Sequence, residues 1–97
     1  MSVTRISEFR AQAGKEDALR DFLSSVVPTI QSSDGCRSCQ LLQGHDDPTR
    51  FVMIEVWDSI EAHQASVKNI PAEAFQGVMK LLAGAPSGEY FHAHTFS

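Results

Sequence analysis

"FVMIEVW", residues 51 to 57, decides the fold. Its two period-2 sets are Phe51, Met53, Glu55 and Trp57 on one side, and Val52, Ile54 and Val56 on the other. A run this rich in β-branched and aromatic residues reads as a strand. Strands with one wet face alternate apolar and polar residues; a strand apolar on both faces is covered on both. The rest of the chain must therefore supply two covers for it.

Working back from this strand, Gly44-His45-Asp46-Asp47-Pro48-Thr49 is a loop of turn formers that joins it to a second strand, Cys36 to Gln43. Ser32-Ser33-Asp34-Gly35 is a turn. Before it, Lys15 to Ile30 carries Leu19, Phe22, Leu23, Val26, Val27 and Ile30 on one helical face. Pro28 removes a backbone donor and should kink or shorten the last turns. Val3 to Arg10 alternates as a first strand. Working forward, Asp58-Ser59-Ile60-Glu61 resembles a capping box with Asp58 as N-cap, opening a short helix to about Val67. Pro71 suits the first turn of another helix, whose apolar residues are Ala74, Phe75, Val78, Met79, Leu81 and Leu82. After Gly84-Ala85-Pro86-Ser87-Gly88, Glu89 to Phe96 alternates as a fourth strand.

The order β-α-β-β-α-α-β predicts an α+β, ferredoxin-like domain: a four-stranded antiparallel sheet with its helices on one face. The whole chain, residues 1–97, is read as one domain. A chain this short buries roughly 60–65% of its unfolded surface. Helices cover one face of the central strand, so a second copy is expected on the other, giving a homodimer with sheets packed face to face.

Eight basic against twelve acidic residues leave a net charge of −4, with the basic residues scattered singly. Nucleic-acid binders show a basic face instead, and no apolar run approaches a membrane span. Met1-Ser2-Val3-Thr4-Arg5 carries no apolar signal-peptide core. A cytoplasmic location is expected, without nucleic acid or membrane as partner.

Several residues bear chemistry. Cys36-Arg37-Ser38-Cys39 has the spacing of a redox dithiol or half a zinc site. It opens a strand rather than a helix, though, and strand residues at i and i+3 point to opposite faces. The thiols are read as packing groups. His92 and His94 would share a strand face about 7 Å apart and could hold a metal with His45 or Glu55; the plainer reading is surface histidines, and no metal is expected. Glu55, on a mostly apolar face, is either a base or half of an ion pair with Arg5, Arg10 or Arg50. Trp57 either walls a flat aromatic site or packs in the core. His63 shares its helix face with Ile60 and Val67, and is either structural or a proton acceptor.

The stretch "DGCRSCQLLQGHDDPTRFVMIEVWDSIEAH", residues 34 to 63, resembles the centre of the antibiotic biosynthesis monooxygenase domain. Gly35 and Cys36, Asp46 to Pro48, Phe51, Glu55, Trp57, Ala62 and His63 carry the likeness, which extends over nearly the whole chain. It implies a dimeric α+β barrel and a small, often cofactor-free oxygenase of quinols, anthrones or other electron-rich aromatics. Haem-degrading members carry Asn and Trp where this chain has Ser7 and Ser66, which argues against haem. No Gly-rich phosphate loop or Rossmann fingerprint is present, and no cofactor is expected. The leading expectation is a monooxygenase of a quinol or polycyclic phenol, using molecular oxygen. His63, Glu55 and Ser7 are expected to do the polar work. Trp57, Phe9, Phe51, Met53, Phe75 and Met79 are expected to wall the pocket, with His45 at its mouth. Two other readings stay open: a dimeric binding protein for a small hydrophobic metabolite, and an isomerase of a small signalling sugar.

Overall fold

A computed structural model describes residues 2–96. The strand over Arg50–Trp57, β3, lies inside a four-stranded sheet. It is flanked by β2 (Cys36–Gln43) and β1 (Val3–Arg10), and β4 (Ser87–Phe91) adds to the free edge of β1, giving the order β2-β3-β1-β4. Every neighbouring pair is antiparallel. With α1 (Glu16–Gln31), α2 (Ile60–Val67) and α3 (Ala72–Met79), the chain has the expected β-α-β-β-α-α-β order and ferredoxin-like topology. No helix among the described residues is long and apolar enough to cross a membrane.

The period-2 sets of β3 divide as its sequence suggests. Phe51, Met53, Glu55 and Trp57 are buried, while Val52, Ile54 and Val56 on the other face are only half-buried. Phe51 and Met53 form the core with Leu19 and Leu23 of α1, Val78 of α3, Cys39, Ala11 and Leu82. Deleting the Phe51 ring would cost about 3–5 kcal/mol by transfer and cavity terms together. The open face continues across the register through Ile6, opposite Ile54, and Leu42, opposite Val52. Phe91, opposite Thr4, extends it to the edge.

Several boundaries differ from expectation. α1 runs past Pro28 to Gln31. Pro28 and Ser24 are exposed, so water is at hand for the carbonyl that loses its partner. The N-cap of α2 is Ser59, whose Oγ accepts from the Ala62 N–H at 3.1 Å. Asp58 does not cap, because its carboxylate is taken by Arg37 Nε at 2.6 Å. Pro71 is the N-cap of α3, and Leu81 and Leu82 lie beyond its end. Leu82 instead bridges to Ala11, and the Leu81 carbonyl accepts from the Gln12 N–H at 2.9 Å. β4 stops at Phe91, one residue short of the register position opposite Val3 where β1 begins, leaving no strand for residues 93–96 to pair with. His92, His94 and Phe96 are exposed outside the sheet.

Candidate active site

Residues two apart on a strand share a face, and this brings Glu55 and Trp57 together under the helices. The Trp57 indole Nε1–H donates to Glu55 Oε1 at 2.8 Å. Both are buried, at 1% exposure for Trp57 and 6% for Glu55. Burial pushes the Glu55 carboxyl above its ordinary range, with the Trp57 bond and then the Arg5 charge pulling against it.

The strand order sets Arg5 between Glu55 on β3 and Tyr90 on β4. The Arg5 guanidinium carbon lies 4.6 Å from the centre of the Tyr90 ring, a cation–π distance. The guanidinium also crosses Gly88, where any β-carbon would collide with it. Tyr90 Oη is hydrogen-bonded to His63 Nδ1 at 2.6 Å. The imidazole sits edge-on between Trp57 and Tyr90, its centre 5.4 Å from each ring. Burial first, and the Arg5 charge second, hold His63 below the usual histidine range. It is therefore neutral at physiological pH, and one ring nitrogen can accept a proton.

α2 brings His63 to this place by a close approach at Gly35. That residue has φ +86°, and a β-carbon on it would lie 2.7 Å from Ala62 Cβ. Glycine is needed there both for its backbone angle and for its bareness. The Gly35 carbonyl also accepts from the Asp58 N–H at 2.8 Å, tying the turn before β2 to the start of α2.

The structure thus joins Glu55, Trp57 and His63, and adds Arg5 and Tyr90, which sequence reasoning treated only as a salt-bridge option and a strand residue. Ser7 shares their face of β1, opposite Met53 and Gly88, beside the cluster. Phe51 and Met53 are in the core and Phe9 packs against it. Phe75 and Met79 are 45% and 49% exposed on α3, so they enclose nothing here. His45 is exposed in the loop before β3. Seven residue steps separate that end of β3 from Trp57, roughly 23 Å at the strand rise. His45 is therefore far from His63, and His92 and His94 do not assemble a metal-ligating set with either His45 or Glu55. Among the described residues no three His, Cys, Asp or Glu side chains form a metal-ligating group.

Glu55 makes no ion pair among the described residues: Arg10 pairs with Asp47, Arg50 pairs with Glu8, and Trp57 fills the expected partner's place. The cysteines also need a correction. A register shift between Cys36 and Ser38 leaves Arg37 as an extra residue, so Cys36 stands opposite Trp57 and Cys39 opposite Glu55. A bulge resets the alternation, and both thiols fall on the same face. Burial, then the Glu55 charge, pushes Cys36 up, and pushes Cys39 up to about 12. A reactive thiol is shifted the other way.

Two open cavities are present, and neither is lined by Arg5, Glu55, Trp57, His63 or Tyr90. One of about 400 Å³ lies between the α1–β2 turn and α2, lined by Asp34, Asp58, Ala62 and Ser66 among others. The other, about 720 Å³, lies on the open sheet face along Ile6, Glu8, Glu89 and Phe91.

A ferredoxin-like sheet that holds a buried carboxyl, a neutral imidazole and a guanidinium at one end of its helix-covered face defines a small α+β protein with an acid–base cluster. More particularly, the chain belongs to the antibiotic biosynthesis monooxygenase family, whose sequence profile matches residues 2–79. Among solved structures, a protein from Mycobacterium tuberculosis superposes with a TM-score of 0.85 at 22% identity, over 100% of this chain and 99% of that one. A protein from Pseudomonas aeruginosa gives 0.86 at 24% identity, over 97% and 95%. SnoaB, a cofactor-independent oxygenase from Streptomyces nogalater, gives 0.82 at 18% identity, over 98% and 95%. No curated protein sequence matches the chain.

Proposed function

We propose that this protein is a homodimeric monooxygenase that oxidises a quinol or another electron-rich phenol with molecular oxygen and no cofactor. The observation that carries the reading is the His63–Tyr90 pair: an imidazole kept neutral by burial and fixed through Nδ1 to a phenol at 2.6 Å. With the Nδ1–H donating to Tyr90, Nε2 is the free acceptor. Family membership and the likeness to a cofactor-independent oxygenase support it.

In this mechanism His63 Nε2 takes the phenolic proton. The anion transfers one electron to oxygen, and the resulting radical pair joins as a C–O bond to give a peroxide. The peroxide anion takes the proton back from His63 as a hydroperoxide, and loss of water, with the hydrogen on the same carbon, leaves a carbonyl. One oxygen atom enters the product and the other leaves as water; the substrate supplies all the electrons, so no outside reductant is needed. The chain's part is to accept the proton, hold the anion and exclude water. Glu55, Trp57 and Ser7 line or support this end of the sheet, and the open face bearing Ile6, Ile54 and Leu42 packs against a second copy.

The test is oxygen uptake by the purified protein with a panel of reduced naphthoquinols and anthrones. Uptake above the uncatalysed rate is expected, and His63→Ala should lower turnover by roughly 10²-fold in a folded protein. If no member of the panel gives enzyme-dependent uptake, the reading falls.

A further inference from the structure

Arg10 is paired with Asp47, Arg20 with Asp17 and Asp21, Arg37 with Asp58, and Arg50 with Glu8. Arg5, the remaining arginine of the chain, is in no ion pair among the described residues. Its Nε is buried and bonds to nothing. The other arginines lie at the exposed surface, where a lone cation would be well hydrated, yet each has a carboxylate. The one half-buried arginine has none among the described residues.

The carboxylate across the ladder does not fill this gap. Glu55 faces Arg5 in register, but its Oε1 is engaged by Trp57. The chain instead braces the guanidinium with no ion pair among the described residues, the Glu55 charge acting on it only from a longer distance. Its carbon lies over the Tyr90 ring, and Gly88 leaves space that a side chain would fill. Its charge is felt at both Glu55 and His63. A guanidinium stays charged and presents a planar fork of donors. Removing it partly from water without a counterion is unfavourable, and an anion that supplies both charge and acceptors reverses that cost.

We infer that Arg5 is the anion-holding residue of the site, and that its ligand is a flat aromatic compound whose ionised oxygen pairs with the guanidinium beside Tyr90 and His63. This rests on the reading of the site given above and narrows its substrate to acidic phenols and enols. The oxygen that gives up its proton to His63 is the one that Arg5 then holds. Arg5 is thereby a binding group for the charged form, and a neutral ring of the same shape is a poor ligand.

The inference is tested by binding alone, so its fate is separate from that of the oxygenase reading. Calorimetric titrations of the wild-type protein compare 2-naphthoate with 2-naphthamide, which share ring and shape but not charge. The carboxylate should bind about 10- to 100-fold more tightly, the range expected of hydrogen bonds to a charged group. Arg5→Gln should abolish that preference and leave the amide's affinity nearly unchanged; Arg5→Lys should keep part of it. In the wild-type protein the Arg5 Nε–H proton resonance should shift with 2-naphthoate and stay in place with 2-naphthamide, a readout that needs no variant to fold. Equal affinities, no saturable binding of 2-naphthoate, a preference that survives Arg5→Gln, or an unmoved Nε–H resonance would each overturn the inference.

Discussion

Trp57→Phe asks how much of this cluster depends on a single N–H. The indole donates to Glu55 Oε1 at 2.8 Å inside a nearly dry site. Phenylalanine keeps a ring but leaves that oxygen without its donor, at about 1–3 kcal/mol. The smaller ring leaves a cavity of a few tens of Å³, worth roughly another 1 kcal/mol. The combined loss should be about 2–4 kcal/mol, and it should depend on pH. Glu55 is raised by burial, so it binds its proton more tightly folded than unfolded. Its contribution to stability is then greatest below the ordinary glutamate pKa and falls as pH climbs through the raised value. Taking away the Trp57 bond, which favours the carboxylate, raises that value further and steepens the fall. Urea unfolding followed by far-ultraviolet circular dichroism, at mildly acid and mildly alkaline pH, should show the larger cost on the alkaline side. In a Glu55→Gln background, where position 55 no longer titrates, the cost of Trp57→Phe should become independent of pH. Equal costs at both pH values, or a pH dependence that persists in the Glu55→Gln background, would refute this account of the pair.

Tyr90→Phe keeps the ring against Arg5 but removes the hydroxyl bonded to His63; oxygen uptake should fall about tenfold, the worth of one hydrogen bond, and unchanged turnover would show the bond to be idle. Replacing Cys36 and Cys39 together with alanine should cost about 1–2 kcal/mol in unfolding experiments and leave turnover intact, since both thiols are shifted away from reactivity; loss of activity in the folded variant would count against that. Sedimentation at micromolar concentration should give a dimer through the open sheet face, and a mass near 10.7 kDa would contradict it.

The fold was legible because β3 declares both of its faces, and the turn residues around Gly35, Pro48 and Gly84 punctuate the remaining elements. The ends of elements were less so. Alternation continues in the sequence to Phe96, yet a strand needs a neighbour, and β1 runs out at Val3. The spacing of Cys36 and Cys39 predicts opposite faces under strict alternation, and the bulge at Arg37 cancels that prediction. Nothing in Cys-Arg-Ser-Cys by itself marks a bulge; the later pairing of Arg37 with Asp58 explains it only once α2 is in place. The site was half-readable for a related reason. Glu55, Trp57 and His63 stand within one continuous stretch around β3, whereas Arg5 and Tyr90 join them through strand pairing between the two ends of the chain. The signal that would have found them is the sheet order. With β1 between β3 and β4, the residue opposite Glu55 is Arg5, and its other neighbour is Tyr90.

That order also bears on how weak groups could perform a demanding proton transfer. Burial first, and the Arg5 charge second, lower the proton affinity of His63, so the imidazole is ready to accept, but the imidazolium formed by acceptance would then sit near a cation. A bound phenol changes this balance only as it ionises. In the proposed reaction the oxyanion that forms when the proton leaves would lie against Arg5, offset its field at His63, and add an attraction of its own to the new imidazolium. The two charges created by the transfer stabilise each other through a guanidinium already in position. This stabilisation is absent from the neutral complex and grows with charge separation, the kind of differential binding that lowers a barrier rather than deepening a ground state.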